Sequence, residues 1–213
     1  MPISSLFEGN RVWAESCTEK DPEFFSKLCG IQSPKFLWIG CSDSRVPANT
    51  IVNLSAGELF VHRNVANLVN HSDMNCVAVI QYAVHVLKVE HIIVTGHYGC
   101  GGIHAAMQRH DHGILESWLS HIRGVYRDHY DDLMALAPEA RTDRLVELNV
   151  MQQVRNVSRL PVVQQAWENG QPLEIHGCVY SLENGILQNL GLTRRGINDL
   201  HPAHQLTAAP PSR

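Results

Sequence analysis

Three short apolar runs constrain what this chain can become: Lys35–Gly40 (KFLWIG), His91–Gly96 (HIIVTG) and Pro172–Tyr180 (PLEIHGCVY). Short, nearly continuous apolar runs that break into polar or glycine-containing segments read as buried strands. Glu58–Arg63 looks like a further strand. Helical patterns separate the runs, and strand–helix–strand–helix order implies a parallel sheet with right-handed crossovers. The expected fold class is therefore α/β: a central, mostly parallel sheet of four to five strands, flanked by helices and preceded by an N-terminal helical arm.

The helical signals fill in the rest. Asp21-Pro22-Glu23 is a helix start with Asp as cap and Pro at the first position, and Phe24, Phe25 and Leu28 share a face before Gly30 ends it. This arm, 1–30, has few partners in its own neighbourhood and is expected to pack on another subunit. Ser72 or Asp73 can cap a helix to about Leu87 whose apolar residues run nearly all round, which predicts burial on more than one side. Gly101-Gly102 opens another helix. Residues 114–169 read as helices, one capped near Thr142 and broken at Pro161. Glu183-Asn184-Gly185 gives a turn into Ile186-Leu187, hence a closing hairpin. The tail 202–213 is expected to be loose. The 213 residues read as a single domain.

Composition excludes some functions. Acids number 21 and bases 17, a net charge of −4, and no Lys/Arg run occurs, so a nucleic-acid surface is not expected. No apolar run approaches ~18 residues, so no membrane helix is expected. No basic segment leads into an apolar one at the start, so no secretory signal is expected. Six irregularly spaced cysteines in a chain of this length predict free thiols and a metal site in a reducing cytoplasm. Charged residues make up only 18%, below the usual quarter, which points to surface covered by a partner subunit.

The chain holds 13 His and 6 Cys. Two short pieces stand out at the carboxyl ends of two predicted strands, where open α/β sheets bind ligands: Cys41-x-Asp43-x-Arg45 and His97-x-x-Cys100. Residues two apart on an extended segment point the same way, so Cys41 and Asp43 can face one point. Residues three apart in a first helical turn share a face, which would join His97 to Cys100. A helix start favours the Cys100 thiolate. Two thiolates, an imidazole and a carboxylate suit Zn²⁺. Buried structural thiols remain the competing reading. A closed four-ligand zinc staple without catalysis also fits. A thiol redox protein fits less well, since no CxxC pair is present.

CSDSRVP (41–47), HRNVANLV (62–69) and GHYGCGG (96–102) make the chain resemble the β-class carbonic anhydrases. The likeness runs from about Gln32 to the 140s and resumes at Leu148-Asn149-Val150 and Gly177-Cys178-Val179-Tyr180. The resemblance implies a lyase that reversibly hydrates CO₂ to bicarbonate and a proton by a zinc-bound hydroxide, with one Zn²⁺ per chain on Cys41, His97 and Cys100. Asp43 then has two roles. On zinc it closes the tetrahedron; paired with Arg45 it leaves the fourth position open and can orient the nucleophile. The likeness also implies a substrate pocket from Gln32, Phe60, Val65, Tyr82 and the Gly101 N–H, although core packing is the plainer reading of Phe60, Val65 and Tyr82. Trp38, Arg63 and Tyr180 match the bacterial subgroup with a non-catalytic bicarbonate site, where indole, guanidinium and phenol supply donors to one anion. Bicarbonate there is expected to favour Asp43 on zinc. A homodimer or homotetramer is implied. His110, His112, His121, His129, His201 and His204 sit in polar context and are expected to be solvated.

Overall fold

The computed structural model describes residues 2–206. It divides into two units, Met1–Ser33 and Pro34–Arg213. The first carries α1 (Ser4–Lys20) and α2 (Phe24–Leu28). Within it, Trp13 meets Phe24 and Phe25 edge-on, with ring centroids 6.3 and 5.8 Å apart. The α2 entry differs slightly from expectation. Asp21 accepts from the Glu23 N–H at 3.0 Å, and the helix begins only after that turn.

The second unit is built on a five-stranded sheet in the order β2-β1-β3-β4-β5. Its strands are β1 (Phe36–Cys41), β2 (Leu59–Asn64), β3 (His91–His97), β4 (Glu174–Tyr180) and β5 (Leu187–Arg194). The first three pairings along that order are parallel, and β5 returns antiparallel to β4. The hairpin turn uses Gly185 at φ 72°, a left-handed conformation glycine adopts at little cost.

Between the strands lie α3 (Ala48–Ile51), α4 (Met74–Gln81), α5 (Gly101–Met107), α6 (Leu115–Asp128), α7 (Tyr130–Met134), α8 (Pro138–Ser158) and α9 (Pro161–Glu168). Asp73 caps α4 by accepting from the Asn75 and Cys76 N–H groups. A π-helical turn, Tyr82–Val86, then continues α4. Burial on more than one side of this helix is expected from the sequence, whereas in the chain alone Met74, Tyr82 and Val86 lie exposed along one side. The start expected near Thr142 is corrected to Pro138, whose ring fixes φ and whose missing N–H costs nothing at a first turn. Pro161 likewise opens α9.

Successive strand residues serve two cores. Leu37, Ile39, Ile92, Val94, Ile175 and Val179 face the larger one. There α8 lies close on β3 and β4, because Gly96 and Gly177 carry no side chain. A Cβ at Gly96 would stand 2.7 Å from Val150 Cγ2, and one at Gly177 would stand 3.2 Å from Val150 Cγ1. Trp38, with Val46, Ala48 and Leu59, forms a smaller cluster on the other face, flanked by Ile93, Tyr180 and Leu187.

The expected loose tail is corrected in part. Gln205 donates to the Ile197 and Leu200 carbonyls, and the Leu206 N–H donates to Gln164 Oε1 at 2.8 Å. Residues 207–213 of that tail lie outside the described residues.

Candidate metal centre

β1 and β3 are hydrogen-bonded neighbours running the same way, so their carboxyl ends lie side by side. Cys41 is the last residue of β1 and His97 the last of β3. Cys100 reaches them differently from the sequence expectation. His97 belongs to the strand, Gly99 turns the chain at φ 68°, and Cys100 precedes α5 in an extended conformation. A first helical turn is therefore not what joins His97 to Cys100. The strand end and the glycine turn do so.

All three side chains are buried, and one ligand atom from each lies within 4.8 Å of the others. Cys41 Sγ and Cys100 Sγ are 3.9 Å apart. The Cys100 contact lowers the Cys41 pKa to about 4, with His97 and the Asp43 and Ala66 N–H groups helping against burial. The same contact and burial push Cys100 up. His97 Nδ1 donates to the Tyr98 carbonyl at 3.0 Å, which leaves the Nε2 lone pair facing inward. That Nε2 is buried and has no hydrogen-bond partner. A buried polar atom left unsatisfied is costly unless something binds it. Two sulfurs and this orphaned nitrogen fit a borderline ion such as zinc.

Asp43 stands beside the triad, with Oδ2 3.7 Å from His97 Nε2. Its carboxylate is held away by Arg45, whose Nε donates to Oδ1 at 2.9 Å and Nη2 to Oδ2 at 2.7 Å. The Arg45 backbone N–H also donates to Oδ1, at 2.9 Å. The Arg45 guanidinium therefore holds the Asp43 carboxyl well below the usual carboxylate range. Arg45 also reaches the Gly99 carbonyl at 3.3 Å, tying the Cys41 loop to the His97 turn.

A brace unnoticed in the sequence supports the triad. Ala66 and Asn67 are both left-handed, at φ 63° and 49°, a costly geometry for residues with a Cβ. The Ala66 N–H points at Cys41 Sγ at 3.4 Å. Asn149 of α8 donates to the Ala66 carbonyl at 3.0 Å, and Gln153 donates to Asn149 Oδ1 at 2.9 Å. Gln153 Oε1 accepts from the Val69 N–H at 2.9 Å, and Asn156 donates to the Val69 carbonyl, also at 2.9 Å. The only sequence trace is Asn149 within Leu148-Asn149-Val150.

Phe60 and Tyr82 come together, ring centroids 5.8 Å apart, and Tyr82 is exposed as a wall rather than buried as core. Val65 is partly exposed. A Cβ at Gly101 would meet nothing within 4 Å, whereas one at Gly102 would meet Val65 Cγ1 at 2.9 Å. Gln32 is exposed in the first unit. Trp38 and Tyr180 pack in the smaller cluster. Arg63 lies across the adjacent loop, donating from Nε to the Cys41 carbonyl at 2.9 Å and from Nη2 to the Asp43 carbonyl at 2.5 Å. His112, expected to be solvated, is half-buried with Nε2 shut away from solvent.

Two further groups of potential ligands occur among the described residues. In His62–Asp73–Cys76, the Asp73 carboxylate is occupied in capping α4 and burial pushes the Cys76 thiol up to about 12. That group is structural. His91–Glu174–His176 lies where β3 and β4 begin.

The carbonic anhydrase family profile matches residues 36–187. A carbonic anhydrase of Emericella nidulans is 51% identical over 95% of this chain and 90% of its own length. One of Candida albicans is 38% identical over 95% of this chain and 73% of its own. Among solved structures, a Coccomyxa β-carbonic anhydrase in complex with acetazolamide superposes with TM-score 0.89 at 43% identity, covering 93% of this chain and 90% of that one. A tetrameric β-carbonic anhydrase of Sordaria macrospora gives 0.86 at 38%, covering 90% and 98%.

Proposed function

The chain belongs to the β-class carbonic anhydrase family, and on that premise we propose that it interconverts CO₂ and bicarbonate at the Cys41–His97–Cys100 centre with zinc as its metal. Zinc supplies Lewis acidity there, lowering the pKa of a water it holds from 15.7 to ~7. The protein does the rest. Cys41, His97 and Cys100 hold the ion, and Asp43, kept as a carboxylate on Arg45, accepts a hydrogen bond from the nucleophile and aims its lone pair. Phe60, Val65 and Tyr82 offer CO₂, which has no net dipole, an apolar wall. The Gly101 N–H takes an oxygen of bicarbonate, and the Gln32 amide serves the same role across a subunit interface.

One observation carries this reading. The partnerless, buried His97 Nε2 faces a carboxylate that Arg45 restrains from both oxygens. Stopped-flow CO₂ hydration with parallel metal analysis tests it. Cys100→Ser is expected to lose zinc and activity together, and Asp43→Asn to keep zinc and lose activity. An Asp43→Asn variant as active as the parent would overturn the assignment.

Regulation belongs to the same proposal. Asp43 exchanges Arg45 for zinc, and bicarbonate held by Trp38, Arg63 and Tyr180 favours the zinc-bound, inactive form, as in the bacterial subgroup. Arg63 supplies the physical link, since its guanidinium braces the carbonyls of Cys41 and Asp43. An anion that draws Arg63 away loosens the segment bearing Asp43. Such a ligand shifts the balance only through its different affinity for the two forms. We further assign the chain to a homodimer or homotetramer in the cytoplasm. The exposed Met74, Tyr82 and Val86 support a subunit contact, and six free thiols support a reducing compartment. No helix among the described residues is long and apolar enough to cross a membrane.

A further inference from the structure

At the opposite end of the sheet from the Cys41–His97–Cys100 centre, three side chains converge on one point. His91 opens β3 and Glu174 opens β4, and the two are register partners. His176 lies two residues along β4, so it shares a face with Glu174. That face is the one carrying Ile93 and Tyr180, away from α8. One ligand atom from each of the three lies within 4.8 Å of the others.

The pairwise spacings are more telling. His91 Nδ1 and His176 Nε2 are 3.1 Å apart. His176 Nε2 and Glu174 Oε2 are 3.6 Å apart. Donor atoms ~2.0–2.1 Å from a shared ion, at octahedral to trigonal angles, stand about 2.8–3.6 Å from each other. The first two atoms already stand at that spacing with no rearrangement.

The surroundings orient these donors. Thr193 on β5 meets His176 Nδ1 at 3.2 Å, which fixes the ring and turns Nε2 inward. Such a partner on the far nitrogen is the usual support of a metal-binding imidazole. Phe36 stacks on the His91 ring, centroids 5.3 Å apart at 18°. Arg195 takes Glu174 Oε1 at 3.0 Å and leaves Oε2 to the imidazoles.

We propose that His91 Nδ1, His176 Nε2 and Glu174 Oε2 form a second metal site, which takes one borderline divalent transition-metal ion such as Ni²⁺, Co²⁺ or Zn²⁺ and is separate from the catalytic centre. Two imidazoles and one carboxylate suit such ions and not Mg²⁺ or Ca²⁺. His91 changes tautomer on binding, its proton passing to Nε2. The site leaves positions open for water.

Calorimetric titration with NiCl₂ of the protein carrying one zinc per chain tests this. One Ni²⁺ per chain is expected to bind the parent. His176→Gln and His91→Gln are expected to weaken that event more than tenfold while zinc content and CO₂ hydration stay at parental levels. Thr193→Val is expected to weaken it by roughly 10–100-fold, because the ligating ring loses its orienting partner. His129→Gln, a surface control, is expected to change nothing. Absence of Ni²⁺ binding to the parent, or equal affinity in the parent and both histidine variants, would overturn the assignment.

Discussion

The guanidinium of Arg45 grips both carboxylate oxygens of Asp43, at 2.9 and 2.7 Å, two residues away in sequence. Within that grip Oδ2 already lies 3.7 Å from the orphaned His97 nitrogen, and without it the carboxylate is free to close on that point. Arg45→Ala is therefore expected to lower CO₂ hydration at pH 8 at least about tenfold. A charge-assisted hydrogen bond is worth ~1.5–3 kcal/mol, and the lower end applies because Arg45 is more than half exposed. Stopped-flow rates equal to those of the parent would contradict this role.

The same pair fixes a pH expectation. The Asp43 pKa is depressed, first by the Arg45 side chain. Its contribution to stability is thus present above the ordinary carboxylate range and lost only as pH falls through the lower, folded value. Asp43 stays ionised throughout pH 6–9. A cooperative rise in rate across that range, if regulation works as proposed, is expected to disappear in Tyr180→Phe. A profile identical in both proteins would count against a bicarbonate switch.

Asn149 ties α8 to Ala66, and through Ala66 to the Cys41 sulfur. Asn149→Ala leaves the Ala66 carbonyl and the Gln153 amide unpaired in a buried place, costing ~1–3 kcal/mol. The melting temperature is expected to fall by about 2–4 °C per kcal/mol. Zinc retention against a chelator is expected to fall with it. A variant that melts earlier but holds zinc as tightly would make the brace purely structural.

Much of this arrangement was legible in the residues. The apolar runs gave the strands, and the motifs at their ends gave Cys41, His97 and Cys100. The turn between the last two is hidden from the sequence because Gly99 reverses the chain in a left-handed conformation that HxxC spacing does not reveal. Asn149, Gln153 and Asn156 read as an ordinary polar helix face, since nothing local shows which loop they will meet. His91 and His176 are 85 positions apart and become neighbours only through the register of β3 with β4. The helix start at Pro138 is masked in the sequence by Thr142, which offers a competing cap signal inside the same helix.

Gly40 lies directly beneath Trp38. A Cβ there would stand 2.2 Å from Trp38 Nε1, and the indole is fully buried. Gly40→Ala is expected to destabilise the fold by ~1–3 kcal/mol through overpacking. It is also expected to shift tryptophan fluorescence, which denaturant melts followed by emission will show. Parental stability would mean that the indole can move, and would weaken its assignment as a fixed anion donor.

Cys76 and Cys178 are buried thiols whose pKa values burial pushes up to about 12 and about 11. In the unfolded chain they ionise near ~8.5. Their raised folded values give a contribution that is fully present below that pH and lost as pH rises towards 11. Urea unfolding is expected to show stability falling from pH 8.5 to 10.5, by at most ~1.4 kcal/mol per pH unit for each group. Cys76→Ala is expected to flatten the slope, and an unchanged slope would contradict the assignment.

Zinc K-edge X-ray absorption on the purified protein carrying one zinc per chain tests the central claim most directly. Two sulfur scatterers at ~2.3 Å with lighter nitrogen or oxygen scatterers at ~2.0–2.1 Å are predicted, since Cys41, Cys100 and His97 hold the ion. A shell of nitrogen and oxygen alone, or one with a single sulfur, would contradict it.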